Sequence, residues 1–244
     1  MTGLTILLLW ESQDMPDSLN ISIAVLAYNE AENLSSVVRE LNGVLRSIPG
    51  EHEILIVNDG STDETGSVAA DLARTHSRVR VVEHPKNLGL GGGYRTGFRE
   101  ARKELLTFWA ADGQVDPDVI RQFASVMPDY DLVLGYLPNL KRGLLAASMS
   151  AGEKLLYRLL FGRLPRFQGA LMLRRALLDE IDLVSTGRGW AVIIEFIIKA
   201  NRRGVRILSV PTDLRERRGG RSKVLNLKTI TSNLLQILEL RWRI

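Results

Sequence analysis

Residues Glu53 to Thr65 read EILIVNDGSTDET, a short apolar run rich in β-branched side chains that Asn58, Asp59 and Gly60 interrupt. Ile54 to Val57 suits a strand buried on both faces of a sheet. The spacing of Val68, Ala69, Leu72 and Ala73 predicts a helix just beyond, with Ser61 or Thr62 as its cap and Asp63 and Glu64 in its first turn. Asp59 therefore falls at the carboxyl end of a parallel strand, where open α/β sheets hold their ligands. Its carboxylate either accepts hydrogen bonds from a base or ribose, or caps its own turn.

The same rhythm recurs along the chain. Ile21 to Ala27 is the first buried strand, followed by Leu34, Val37, Val38, Leu41, Leu45 and Ile48 at helical spacing and by Pro49-Gly50 as a stop. Between them lies Tyr28-Asn29-Glu30. Val79 to Glu83 is a further strand, and the glycine-dense run Lys86 to Gly93 behind it either lets backbone approach a ligand or simply makes a flexible turn. It fails as a dinucleotide fingerprint, because the third glycine is due at Thr96. Leu105 to Ala110 delivers Ala111-Asp112-Gly113-Gln114, and Pro117 suits the start of a helix through Ile120 and Phe123. Leu132 to Gly135, Ala170 to Leu173 and Val205 to Val210 are later strands, and Leu144 to Phe161 and Trp190 to Ala200 are helices. Alternation of this kind predicts an α/β fold with a mostly parallel, doubly wound sheet.

Asp112 joins Asp59 along one edge of that sheet. Carboxylates with a neighbouring amide oxygen, here Gln114, form a plausible site for Mg²⁺ or Mn²⁺ completed by substrate phosphates. Glu195 is the one carboxylate in a very apolar helix, so it is either exposed on a face or buried with a partner, and a role in the site is expected.

Net charge is +4 over 244 residues, but Arg202 to Lys223 carries eight Lys or Arg against Asp213 and Glu216, leaving −2 for the remainder. Basicity is local, and points to phosphate groups. Nucleic acid fits poorly, because the strip has little aromatic interleaving. The absence of cysteine excludes disulfides and thiolate metal sites, and three scattered histidines argue against a histidine cluster. No apolar run approaches the roughly 20 residues of a membrane span. Met1 to Trp10 lacks the pattern of a signal peptide, and the leader over 1–19 suits an added edge strand or a membrane-touching tail. Residues 224–244 predict an amphipathic helix ending in Arg241-Trp242-Arg243, able to dock on the core or lie in a membrane interface.

Taken in order, Ile23 to Glu30, Ile56 to Asp63, Asn87-x-Gly89, Ala111 to Gln114 and Arg217-x-x-Gly220-x-Ser222-Lys223 resemble the family-two glycosyltransferases, most closely the polyprenol-phosphate sugar transferases. The resemblance spans roughly Asn20 to Lys223 and implies a catalytic domain over 20–223 with a GT-A-like nucleotide-diphospho-sugar transferase fold. It implies nucleotide contacts around Ala27, Tyr28, Asn29, Glu30, Asp59, Gly89 and Ala111, and a divalent cation at Asp112 and Gln114. Arg217, Arg221, Ser222 and Lys223 would face phosphates, with Asp112, Glu195, Arg217 and Lys223 serving catalysis. Three departures stand out: Ala110 where the metal motif usually begins with Asp, Tyr136 and Leu137 where an arginine is common, and no acid in Leu164 to Ala170.

The expected reaction is metal-assisted, inverting transfer of a sugar from a nucleotide diphosphate to a polyprenyl phosphate, at the cytoplasmic face of a membrane. A saccharide acceptor with Glu195 as base, and a degenerate binding protein explained by Ala110, are the alternatives.

Overall fold

The computed structural model describes residues 18–138, 152, 155–213, 215, 236 and 238–243. Seven strands form one sheet in the order β3-β2-β1-β4-β6-β5-β7. They are β1 (Ile21–Ala27), β2 (His52–Asn58), β3 (Val79–Glu83), β4 (Leu105–Ala110), β5 (Leu132–Tyr136), β6 (Leu171–Arg174) and β7 (Ile207–Pro211). The helices are α1 (Ala31–Leu45), α2 (Thr65–Thr75), α3 (Gly89–Glu100), α4 (Asp118–Val126), the single turn α5 (Leu177–Glu180) and α6 (Ala191–Arg202).

The period of two along the strands explains the layers. On β1, Ile21, Ile23 and Val25 face a core shared with Leu34, Val38 and Leu41 of α1 and Phe123 of α4, whereas Ala24 faces the other core. On β4, Leu105 and Trp109 face the first core, and Leu106 and Phe108 the second, which Val192, Ile193 and Phe196 of α6 complete. Both faces are covered, so the central strands carry apolar side chains on both sides. Phe108 is wedged by the rings of Tyr94 and Phe98 from α3, both edge-on.

β1 pairs in parallel with β2 and β4, and β2 with β3. β6 breaks the pattern, running antiparallel to both β4 and β5, while β5 and β7 are parallel. The sheet is therefore mixed, not uniformly parallel. Six of its seven strands still end at one edge.

Two local expectations are corrected. Ser61 and Thr62 do not cap α2, whose first residue is Thr65. Asp63 Oδ1 accepts the Thr65 N–H at 3.0 Å, while Ser61 Oγ accepts the Asn29 N–H at 3.0 Å and Thr62 N–H reaches Asn29 Oδ1 at 2.8 Å. The glycine run is not a turn but the first residues of α3. Of the helix expected over Leu144 to Phe161, residues 152 and 155–161 are described and helical; of the one over 224–244, residues 236 and 238–243 are described and helical. The leader residues 1–17 lie outside the described residues.

At the opposite edge of the sheet, Glu53 is 6% exposed and accepts from Ser22 Oγ (2.6 Å), Arg102 N–H (2.8 Å) and Arg80 Nε (3.0 Å). Burial alone would raise its carboxyl, but hydrogen bonds from Ser22, Arg102 and Arg80 outweigh that and hold it below its ordinary 4.5. A lowered folded pKa adds stability that is present above the unfolded value and is lost as pH falls through the folded one. Glu53→Gln is expected to lower stability at pH 7 by about 1–3 kcal/mol and to flatten the loss below pH 4.5, as read by denaturant unfolding from pH 7 to 3.

Candidate active site

Three strand ends make the centre of the carboxyl edge. Ala27 ends β1 in register with Asn58 of β2, and Leu26 with Ala110 of β4. The main chain continues that pairing past the strands: Asp59 N–H donates to Ala27 O at 2.9 Å, and Ala111 N–H to Leu26 O at 3.1 Å. The β1–α1 turn thus lies between the Asp59 turn and the Asp112 turn. Asn29 holds φ at 53°, a left-handed conformation that Asn tolerates better than most side chains. Its side chain and main chain bind Thr62 and Ser61, and Glu30 N–H donates to Thr65 Oγ1 at 2.9 Å. The two loops are one hydrogen-bonded unit.

Asp59 is 7% exposed and fully engaged. Oδ1 accepts from His84 Nδ1 (2.7 Å) and Leu88 N–H (2.8 Å); Oδ2 accepts from Asn87 Nδ2 (2.9 Å) and Gly89 N–H (2.8 Å). A carboxylate has about four acceptor sites. All four are taken by the protein, so Asp59 organises this turn by tying the end of β2 to the start of α3. His84 continues the network to Thr96 Oγ1 at 2.8 Å. Sequence reasoning gave His84 and Arg188 no part in the site and met Asn87 only within the Asn87-x-Gly89 motif, because the His84–Asp59, Asn87–Asp59 and Arg188–Asn87 contacts join residues 25 or more apart.

Gly89 and Gly91 also have a different task from the one expected. A Cβ on Gly89 would stand 2.6 Å from Arg188 O, and one on Gly91 would collide with the carbonyls of Gly187 and Gly189. Gly89 also holds φ at 74°. What these glycines admit is the chain's own backbone, a strap over residues 182–190, with Gly91 N–H donating to Arg188 O at 2.8 Å.

On β4, Ala110 is exposed and Asp112 half-buried, with Gln114 N–H donating to Asp112 Oδ1 at 3.2 Å. Among the described residues, no group of three or more His, Asp or Glu gathers to hold a metal. The oxygen donors here still fit a hard cation, provided that most of its shell comes from a diphosphate and water. Beside this turn, Arg215 N–H donates to Gln114 O at 2.7 Å, and its guanidinium pairs with Asp116 at 2.8 Å and Glu40 at 3.2 Å. Arg215 of the basic segment is therefore held beside the Asp112 turn. Arg217, Arg221, Ser222 and Lys223 lie outside the described residues. At Tyr136, the Arg166 guanidinium stands 5.3 Å from the ring centre.

Glu195 is buried with a partner, the second of the two placements open to it. It is 0% exposed, Oε1 accepts from Val184 N–H (2.8 Å) and Lys199 Nζ (2.6 Å), and Oε2 from Ser185 N–H (2.8 Å). Burial would raise its carboxyl, yet the Lys199, Ser185 and Val184 hydrogen bonds prevail and hold it below the ordinary range. Such a group is a poor proton acceptor near neutral pH. Its geometry is that of an anchor for the strap.

The fold is that of a nucleotide-diphospho-sugar transferase of the GT-A type: glucosyl-3-phosphoglycerate synthase from Mycobacterium tuberculosis, solved with Mn²⁺, UDP and glucosyl-3-phosphoglycerate, superposes with a TM-score of 0.66 at 18% identity, covering 98% of this chain and 82% of that one. Residues 22–181 match glycosyl transferase family 2, and the chain belongs to that family. Its relatives include the polyprenol monophosphomannose synthase of Mycolicibacterium smegmatis, 31% identical over 215 residues (83% of this chain, 80% of the relative). A dolichyl-phosphate beta-glucosyltransferase of Trichomonas vaginalis is 26% identical over 238 residues (91% of this chain, 74% of the relative).

Asp59→Asn places an NH₂ group against two donors. It is expected to cost about 2–4 kcal/mol of stability and to weaken nucleotide binding, measured by thermal unfolding and by titration calorimetry. Unchanged values in both would rule out the organising role.

Proposed function

We propose that this chain transfers a sugar, with inversion, from a nucleotide diphosphate sugar to a polyprenyl phosphate at a membrane surface, aided by Mg²⁺ or Mn²⁺. The observation that carries the reading is Arg215 tied to Gln114, because it brings a residue of the basic segment beside the Asp112 turn. A diphosphate lying there would meet cationic groups on one side and the carboxylate of Asp112, through a cation, on the other.

A phosphate oxygen of the acceptor attacks the anomeric carbon while the bond from that carbon to the diphosphate oxygen breaks; the nucleoside diphosphate leaves from the opposite face. The acceptor is already anionic, since its second pKa is about 6, so no base must remove a proton. Asp112 and Gln114 would hold the cation, whose chemistry is to offset the charge that develops on the leaving diphosphate. Arg217, Arg221, Ser222 and Lys223 are proposed to act on the same phosphates. Ala27, Tyr28, Glu30 and Ala111 would line the nucleotide, with Asn29, Asp59 and Gly89 shaping its wall.

Two features support a lipid acceptor over a saccharide hydroxyl. A hydroxyl needs a base, and Glu195 has both oxygens engaged inside the protein. Exposed apolar side chains, Leu155 at 57%, Leu159 at 75% and Trp242 at 91%, also lie near Arg158, Arg241 and Arg243 in the sequence. No described helix is long and apolar enough to cross a membrane. The relatives named for dolichyl and polyprenol phosphates point the same way.

Purified protein given polyprenyl phosphate, Mn²⁺ and a panel of labelled nucleotide sugars should form a lipid-linked sugar of inverted anomeric configuration. Chelation should stop the reaction, and Asp112→Asn should slow it by about 10²–10³-fold. Transfer to soluble saccharides alone, or turnover indifferent to chelation and to Asp112→Asn, would overturn the reading.

A further inference from the structure

The 182–190 strap is stitched to the helices on both sides. On α6, Glu195 takes the N–H groups of Val184 and Ser185, and Lys199 bridges Glu195 to Asp182 O at 2.6 Å. On α3, Arg95 donates to Gly187 O at 2.9 Å, and Gly91 N–H to Arg188 O. At the upper end of the strap the exposed Arg188 side chain reaches Asn87 twice, Nη1 to its main-chain oxygen at 2.6 Å and Nη2 to its Oδ1. Asn87 then has only its NH₂ left to give, and gives it to Asp59 Oδ2.

We infer that Arg188 is a positioning residue for nucleotide binding, acting through Asn87 and Asp59, and that the buried Glu195–Lys199 pair sets the height of the strap from which it reaches. The inference rests on the nucleotide-sugar reading above. Its physical basis is the orientation of one amide. Arg188 holds the Asn87 oxygen outward, which turns the NH₂ inward to Asp59, and Asp59 in turn fixes the N–H groups of Leu88 and Gly89. Flipping the Asn87 amide would set its oxygen against a buried carboxylate. Two donors in a fixed fork are needed to hold both oxygens of Asn87, which an ammonium cannot reproduce.

The test compares Arg188→Ala, Arg188→Lys and Glu195→Gln with the wild type, using two independent readings. Hydrogen exchange at Leu88 and Gly89, which needs no ligand, should quicken about tenfold in Arg188→Ala, equivalent to about 1.4 kcal/mol of local opening. Exchange at Ile54, bonded to Arg78 O near the opposite edge of the sheet, should not change. In calorimetry with Mn²⁺ and UDP or GDP, Kd should rise about tenfold in Arg188→Ala; Arg188→Lys should recover little. In turnover assays the donor KM should rise while kcat at saturating donor and the acceptor KM stay level. Glu195→Gln should shift the same donor KM and leave the pH profile of kcat in place.

Unchanged exchange and unchanged Kd in Arg188→Ala, with the wild type binding a nucleotide diphosphate, overturn this inference and leave the transferase reading standing. Wild type that binds neither UDP nor GDP overturns that reading and the binding role together, even if exchange still quickens. Loss of kcat in Glu195→Gln with donor binding intact would make Glu195 a base and overturn the anchoring role.

Discussion

One carboxylate holding four donors is the centre on which this carboxyl edge depends. Asp59 is supplied by β2, but His84, Asn87, Leu88 and Gly89 all come from the connection after β3. A charged group so nearly buried is tolerable only when its acceptor sites are satisfied, and each donor bond to it is stronger than one between neutral groups. The connection therefore has little freedom to wander. It delivers α3 at a defined place, and α3 receives the strap that α6 anchors. The Asp59 turn and the second core are thus joined through polar contacts as well as through packing.

The polarity of the site follows from the sheet. β1, β2 and β4 end side by side, so the turns after them share a single rim without any long-range search by their side chains. Of the two acids in the turn after β4, Asp116 pairs with Arg215 whereas Asp112 is half-buried, and Ala110 contributes only a methyl group. Any cation held at that turn would need most of its oxygen donors from a ligand or from water.

Much of this was legible in the sequence, and the exceptions share a cause. Ile21–Ala27 and Leu105–Ala110 show themselves because strands buried on both faces read as unbroken apolar runs. The placement of Asp59 and Asp112 at strand ends follows directly from those runs. The direction of β6 does not, because a four-residue run such as Leu171–Arg174 has no marker of orientation. Glycines 89, 91, 92 and 93 argue locally against a helix, and the structure overrides that preference where the strap needs the missing side chains of Gly89 and Gly91. Ser61 and Thr62 have the chemistry of caps, but Asn29 from another loop claims them. Glu195 was readable as unusual, and Lys199 four residues on is a partner that helical spacing allows, while its other two, main-chain N–H groups ten and eleven residues earlier, have no signature at all. Composition marks polar groups; only the fold says which of them meet.

The reversed strand β6 has a consequence for how such a chain can diversify. β5 climbs to the rim and β6 descends from it, so the chain leaves the sheet after Tyr136 and re-enters it with Leu171 at the same level. An excursion of that kind can lengthen, shorten or change chemistry without disturbing the pairing of the β3-β2-β1-β4 half. One side of the rim is held to a single geometry, and the other is open to experiment by evolution.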